Sequence, residues 1–146
     1  MKYDVVVIGG GTTGVFTCLD LALRGVSVAL LERNELGSGT SGKFHGLLHS
    51  GARYAVNDPQ AAIECAGENQ VLSKIAQHVI TDTGGLFVAI TAEDAEYQQE
   101  LVEGCRRCNV PCSEVPPEWV RVMEPKLNPA VKCALEVPDK IIRAHD

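Results

Sequence analysis

Between Tyr3 and Ile8 the chain carries a β-rich run that ends in four consecutive β-branched residues, Val5 to Ile8, and then turns at once to glycine. A continuous apolar run bounded by glycines predicts a strand buried on both faces, as in a parallel sheet. The spacing then changes to that of a helix, with Val15, Cys18, Leu19, Ala22 and Leu23 on one face. Gly25 is placed to cap that helix, and Arg24 suits the negative end of its dipole. A second apolar strand, Val26 to Leu31, stops at Glu32, which completes a βαβ unit.

A glycine-rich loop from Gly37 to Gly51 interrupts the periodicity. Asp58-Pro59 then opens a long helix, with Asp as N-cap and Pro at the first helical position. Its apolar face is Ala62, Cys65, Leu72, Ile75, Ala76 and Val79, and it is expected to end near His78. Gly84-Gly85 turns the chain into a strand over Leu86 to Ile90. A helix is expected after Thr91, from Glu93 to about Cys108. Pro116-Pro117 starts another, closed by "MEPKLNP", and Val131 to Val137 reads as a last strand. No internal repeat or low-complexity segment appears. The expected organisation is an α/β fold with a Rossmann-type start, residues 1–80 forming the nucleotide-binding part and residues 81–146 the first segment of a substrate or cap region.

Composition narrows the function classes. The 146 residues carry a net charge of −6, which argues against a general nucleic-acid binder, since phosphate neutralisation needs an excess of Lys and Arg. No apolar run has the length of a transmembrane helix, and the N-terminus lacks the basic flank and cleavage site of a signal peptide. A cytoplasmic protein is expected, its six cysteines free thiols.

Gly9-x-Gly11-x-x-Gly14 sits where a dinucleotide fingerprint belongs, after a strand and at the start of a helix, with Glu32 at the end of the next strand. Gly9 would allow the tight turn, Gly11 the approach of a pyrophosphate, and Gly14 close packing of helix on strand. The helix N-terminus around Thr13 presents unpaired N–H groups to an anion. Glu32 would accept hydrogen bonds from ribose hydroxyls and disfavour a 2′-phosphate, an effect that Arg33 beside it could offset. An adenine dinucleotide is expected. The fingerprint alone leaves FAD and NAD both open. A second glycine-rich loop directly after the acidic residue could bring Thr40, Ser41 and backbone amides to the remaining phosphate oxygens.

"IGGGTTGVFTCLDLALRG" (Ile8 to Gly25) followed by "HGLLHSGARYAV" (His45 to Val56) resembles the FAD-dependent glycerol-3-phosphate dehydrogenase family, most nearly the catalytic subunit of its anaerobic enzyme. "HSGARY" is similar to the "HGG-x-RY" of aerobic members, and "GLFVAI", "EPKLNP" and "VPD" extend the resemblance to about Asp139. Phe16 and Cys18 depart from it, standing where the family has Gly and Ala, and "KIIRAHD" fits it poorly. The resemblance implies a flavoprotein fold of the glutathione-reductase or D-amino-acid-oxidase type with FAD as cofactor. It also implies oxidation of sn-glycerol 3-phosphate to dihydroxyacetone phosphate, with electrons passed to a quinone or to electron-transfer subunits. Association with the inner face of the cell membrane would be peripheral, through those partners. By the same resemblance Lys43, His45 and Leu47 would join the cofactor-binding set, His49 would lie beside the flavin, Arg53 would take the substrate phosphate, and Tyr54 would add a hydrogen bond. Family members run to several hundred residues, so a truncated chain is expected, with the catalytic base elsewhere. A related 2-hydroxy-acid or amine oxidoreductase and a non-catalytic fragment are the alternatives.

Two further groupings invite a metal reading. His45 and His49 are four apart, but the intervening glycines disfavour the helix that would align them. Cys105-x-x-Cys108-x-x-x-Cys112 resembles cluster-ligand spacing, yet Cys105 falls late in an amphipathic helix and only Cys133 could complete the set. No metal site is expected.

Overall fold

The computed structural model describes residues 2–143. The chain divides into two compact units, the first ending at His45 and the second beginning at Gly46. This division falls well before residue 80, where the sequence suggested the change from nucleotide-binding to substrate region.

The first unit is the βαβ motif. Strands β1 (Val5–Ile8) and β2 (Val28–Leu31) pair in parallel, with Val5 opposite Val28 and Ile8 opposite Leu31. Helix α1 (Thr12–Leu23) connects them. Gly25 follows its last turn at φ +79° and donates its N–H to Ala22 O at 2.9 Å. Arg24 pairs with Asp20 at 2.8 Å, one turn back on the exposed face. The expectation that β1 is buried on both faces is not met. Val5 and Val7 are half-buried, while Val6 and Ile8 are 52% and 86% exposed. A parallel sheet buries both faces only when helices cover both, and among the described residues of this unit α1 is the only α-helix. Phe16 is an exposed position of α1, so the departure from glycine there meets no obstruction within the unit.

The second unit is built on two antiparallel sheets. In the first, β8 (Lys140–Ile142) lies between β3 (Leu47–Leu48) and β4 (Ile80–Asp82). In the second, β7 (Cys133–Val137) lies between β5 (Gly85–Ala89) and β6 (Ser113–Val115). Helix α2 (Pro59–Ile75) starts as the sequence predicts, the Asp58 side chain accepting from Ala61 N–H at 3.1 Å. It stops three residues short of His78, where a 3₁₀ turn over Gln77–Val79 leads into β4. Its buried side includes Asn69 as well as Ala62, and Ile75 is exposed. Helix α3 (Ala92–Arg107) is opened by a capping box in which Thr91 and Asp94 exchange bonds with each other's backbone N–H groups. Helix α4 (Pro117–Met123) follows Pro116.

The core joins the small residues Ala52, Ala55 and Ala62 to Leu101 and Cys105 of α3 and to Leu135 and Val137 of β7. A smaller cluster seats Val120 of α4 on Val131 and Ala134. The apolar side of α3 therefore covers the sheet that β7 centres. Strands β4, β6 and β8 have three residues each, too short to leave a hydrophobic period. They exist because a neighbouring strand pairs with them.

Candidate functional site

In the first unit the glycine loop is tied to the acidic end of β2. Gly9 donates its N–H to Leu31 O at 2.8 Å. Glu32 accepts from Gly10 N–H at 2.7 Å and from Asn34 N–H at 2.9 Å, so one carboxylate spans the two loops. These backbone donors, Gly10 first, hold the Glu32 carboxyl below its ordinary range. A carboxylate has about four acceptor positions, so two bonds to backbone leave room for a ribose hydroxyl. Because the folded-state value is depressed, this contribution to stability is complete above the ordinary Glu range and is lost as the pH falls through the lowered value. Acid titration of the unit's unfolding is therefore expected to show a decline from about pH 5 downward, and Glu32→Gln to flatten it. An unchanged acid limb in that variant would remove Glu32 as the tie.

The start of α1 meets the second glycine-rich loop. Its N-cap is Gly11, which offers no side-chain acceptor to the first-turn N–H groups. Ser41, in a 3₁₀ turn over Thr40–Gly42, accepts from Thr12 N–H at 2.9 Å, and its Oγ would lie 3.1 Å from a Cβ built on Gly11. Thus the second loop does come back to the first, with Ser41 at the junction. Thr13, Arg33, Thr40 and Lys43 are exposed around it. His45 is exposed, its ring 6.2 Å from that of Phe44.

The rest of the expected site lies in the second unit, because the chain passes from one unit to the other between His45 and Gly46. Leu47 and Leu48 form β3, and Asn69 of α2 donates to the carbonyls of Leu48 and His49 at 3.3 and 3.2 Å. Gly51, at φ +96°, turns the chain into a 3₁₀ segment over Ala52–Tyr54. Ala52 is buried; Arg53 and Tyr54 face out. Among the described residues no hydrogen bond or ion pair engages the Arg53 guanidinium. Ser50, which stands where the aerobic pattern has glycine, is buried and its hydroxyl lacks a partner among the described residues.

One residue with no role assigned from sequence organises this segment. Asp139, at the turn between β7 and β8, accepts from Ser50 N–H at 2.7 Å and meets His49 Nδ1 at 3.1 Å. The two side chains, His49 and Asp139, are 24% and 15% exposed. The tripeptide "VPD" marked the position, but nothing in the spacing joins residue 139 to residue 49. Asn69 carries no such mark either, since a polar residue in a helical period reads as solvent-facing.

A cavity of about 490 Å³ in this unit is lined by Cys112, Glu136 and Asp139 among others, and includes none of His49, Arg53 and Tyr54. The cysteine cluster is interior. Cys105 and Cys108 are buried in the main core, and burial, with Cys112 alongside, pushes the Cys105 thiol up to about 12. A thiol with that value is protonated at neutral pH and unreactive. Among the described residues no group of three or more His, Cys, Asp or Glu is arranged to hold a metal ion. No helix there is long and apolar enough to cross a membrane.

Comparison with known proteins gives a consistent relationship. The chain is 46% identical over 139 residues to a subunit of the anaerobic glycerol-3-phosphate dehydrogenase of Haemophilus influenzae, covering 95% of this chain and 25% of that protein. It is 49% identical over 136 residues to the corresponding protein of Haloferax volcanii, covering 93% and 23%. The chain therefore spans about a quarter of the length of these relatives. Among solved structures, L-proline dehydrogenase from P. horikoshii superimposes with a TM-score of 0.81 at 25% identity, over 98% of this chain and 38% of the other. L-α-glycerophosphate oxidase from Mycoplasma pneumoniae with FAD bound gives 0.78 at 22% identity, over 99% and 40%, and so speaks for the fold alone. Residues 4–146 match the DAO family of FAD-dependent oxidoreductases, and the chain, with its glycine loop and the acidic residue that follows β2, belongs to that family.

Proposed function

We propose that this protein serves the oxidation of sn-glycerol 3-phosphate to dihydroxyacetone phosphate, with FAD held by the first unit and electrons passed to a quinone through partner subunits at the inner face of the cell membrane. Two features carry the reading, each within its own unit. One is the loop in which Glu32 and Ser41 hold the glycine turn open at a helix start. The other is the "HSGARY" turn, which presents an arginine with no acidic partner among the described residues. Identity of 46–49% to anaerobic glycerol-3-phosphate dehydrogenase subunits supports the substrate.

Bound FAD supplies the hydride acceptor. The protein's part is to bind and orient. Gly9 to Gly14 and the first-turn amides of α1 receive the pyrophosphate, with Ser41, Thr40 and Lys43 near it, and Glu32 takes the ribose hydroxyls. The resemblance to the glycerol-3-phosphate dehydrogenases supports assigning His45, Leu47 and His49 to the cofactor as well. Arg53 binds the substrate phosphate with paired N–H donors, and Tyr54 adds one more bond.

Titration with FAD should quench flavin fluorescence, and anaerobic glycerol 3-phosphate should then bleach the flavin absorbance. Arg53→Ala should raise the half-maximal substrate concentration about tenfold or more, a loss of ~1.4 kcal/mol at least. Bleaching by glycine, proline or a 2-hydroxy acid instead would move the protein to a different substrate class. A chain that retains no flavin would make it a non-catalytic remnant.

A further inference from the structure

We propose that Asp139 is a positioning residue that fixes the tautomer of His49, placing the ring proton on Nδ1 and the acceptor lone pair on Nε2. The inference rests on the reading above only for its consequence, since the arrangement itself lies within the second unit. An ionised carboxylate can only accept, so the 3.1 Å contact between Asp139 Oδ2 and His49 Nδ1 requires the ring to donate from Nδ1. The other carboxylate oxygen is already committed to Ser50 N–H at 2.7 Å, which sets the plane of the carboxylate against the backbone next to the histidine.

Both partners are held from elsewhere. The His49 carbonyl accepts from Asn69 of α2. Asp139 donates its own N–H to Val137 O at 2.9 Å. Its neighbour Lys140 pairs with Asp82 of β4 at 2.6 Å, so the turn carrying the carboxylate is anchored on both sides. A Cβ built on Gly85 would approach Asp139 Cβ to 3.0 Å, so glycine there leaves room for the aspartate. The consequence for function is a matter of sign. An imidazole with its lone pair on Nε2 accepts a hydrogen bond at that nitrogen, whereas the other tautomer donates there.

Asp139→Asn gives a sharp test because the two oxygens of Asp139 are not equivalent. Ser50 N–H needs an acceptor, so the amide oxygen must face it, and the amide NH₂ is left against Nδ1. Nδ1 then has to accept, and the proton moves to Nε2. Long-range ¹H–¹⁵N spectra of the whole chain, recorded well above the ordinary imidazole range, read this directly. The expected wild-type result is a protonated Nδ1 and an unprotonated Nε2 for His49, and in Asp139→Asn the two nitrogen signals exchange character. A wild-type ring protonated on Nε2 would overturn the inference without any variant, and so would an Asn variant whose signals do not exchange. The spectra need neither flavin nor substrate. Failure here therefore leaves the flavin reading standing, and failure to bind flavin leaves the tautomer result intact.

Discussion

A chain carrying Gly51→Ala is expected to lose about 3–5 kcal/mol of stability in its second unit, near the upper limit for a single substitution. Two costs add. At φ +96° the residue occupies the left-handed region, where an L side chain costs roughly 1–2 kcal/mol. In addition, a Cβ at this position would run into the carbonyl oxygen of Ala62 on α2. Ala62 is fully buried and belongs to the main core, so α2 cannot retreat without opening it. For a unit of this size the loss should lower the melting temperature by about 12 °C or more. Gly67→Ala supplies the control. Gly67 lies in the middle of the same helix, its φ is not positive, and nothing stands within 4 Å of an added Cβ. That change should stabilise by roughly 0.5–1 kcal/mol through helix propensity alone. Equal melting temperatures for the two variants would show that the turn before Arg53 is not held as described.

Gly14→Ala should have the other large effect, confined to the first unit. The added Cβ would fall on the Gly9 carbonyl oxygen, with Val7 Cγ1 at 3.5 Å. The start of α1 would have to back away from β1, and overpacking of this kind costs at least ~1–3 kcal/mol. The larger consequence concerns the cofactor. A retreat of about 1 Å removes the first-turn amides from the place where a pyrophosphate is received. FAD titration of Gly14→Ala should show affinity reduced by about a hundredfold or more, which corresponds to ~2.7 kcal/mol. Retained affinity would mean that phosphate recognition does not depend on contact between helix and strand. Circular dichroism of the two variants should separate them, since Gly51→Ala strikes the unit that contains α2, α3 and α4 and Gly14→Ala does not.

Much of the first unit was legible without coordinates. Gly9 and Gly25 have positive φ and Gly14 faces the Gly9 carbonyl, so backbone geometry restricts the residue type there and leaves a local mark, while Gly11 and Glu32 complete a motif of fixed spacing. The starts of α2 and α3 were equally plain, because an N-cap is a contact between residues two or three apart. The burial of β1 is not legible in this way, for the opposite reason. Four β-branched residues in a row record what a strand can pack against, whereas exposure depends on what covers it, and among the described residues of this unit α1 is the one α-helix that can.

The amino-acid sequence by itself determined the dinucleotide loop, the order of the larger elements and the membership of "HSGARY" in a flavoenzyme pattern. All of these are set by contacts within a few residues or by motifs read along the chain. Tertiary structure decided the rest. It added β4, β6 and β8, which exist only as partners of other strands, and it put Asn69 beneath the His49 carbonyl. It also placed the passage from first to second unit at His45–Gly46, in the middle of the loop that reads as one continuous motif. Most consequentially, it joined Asp139 to His49 across 90 residues. A hydrogen bond between distant residues leaves no period or spacing in the sequence, because its geometry is created only when β8 pairs with β3 and carries the carboxylate to the ring.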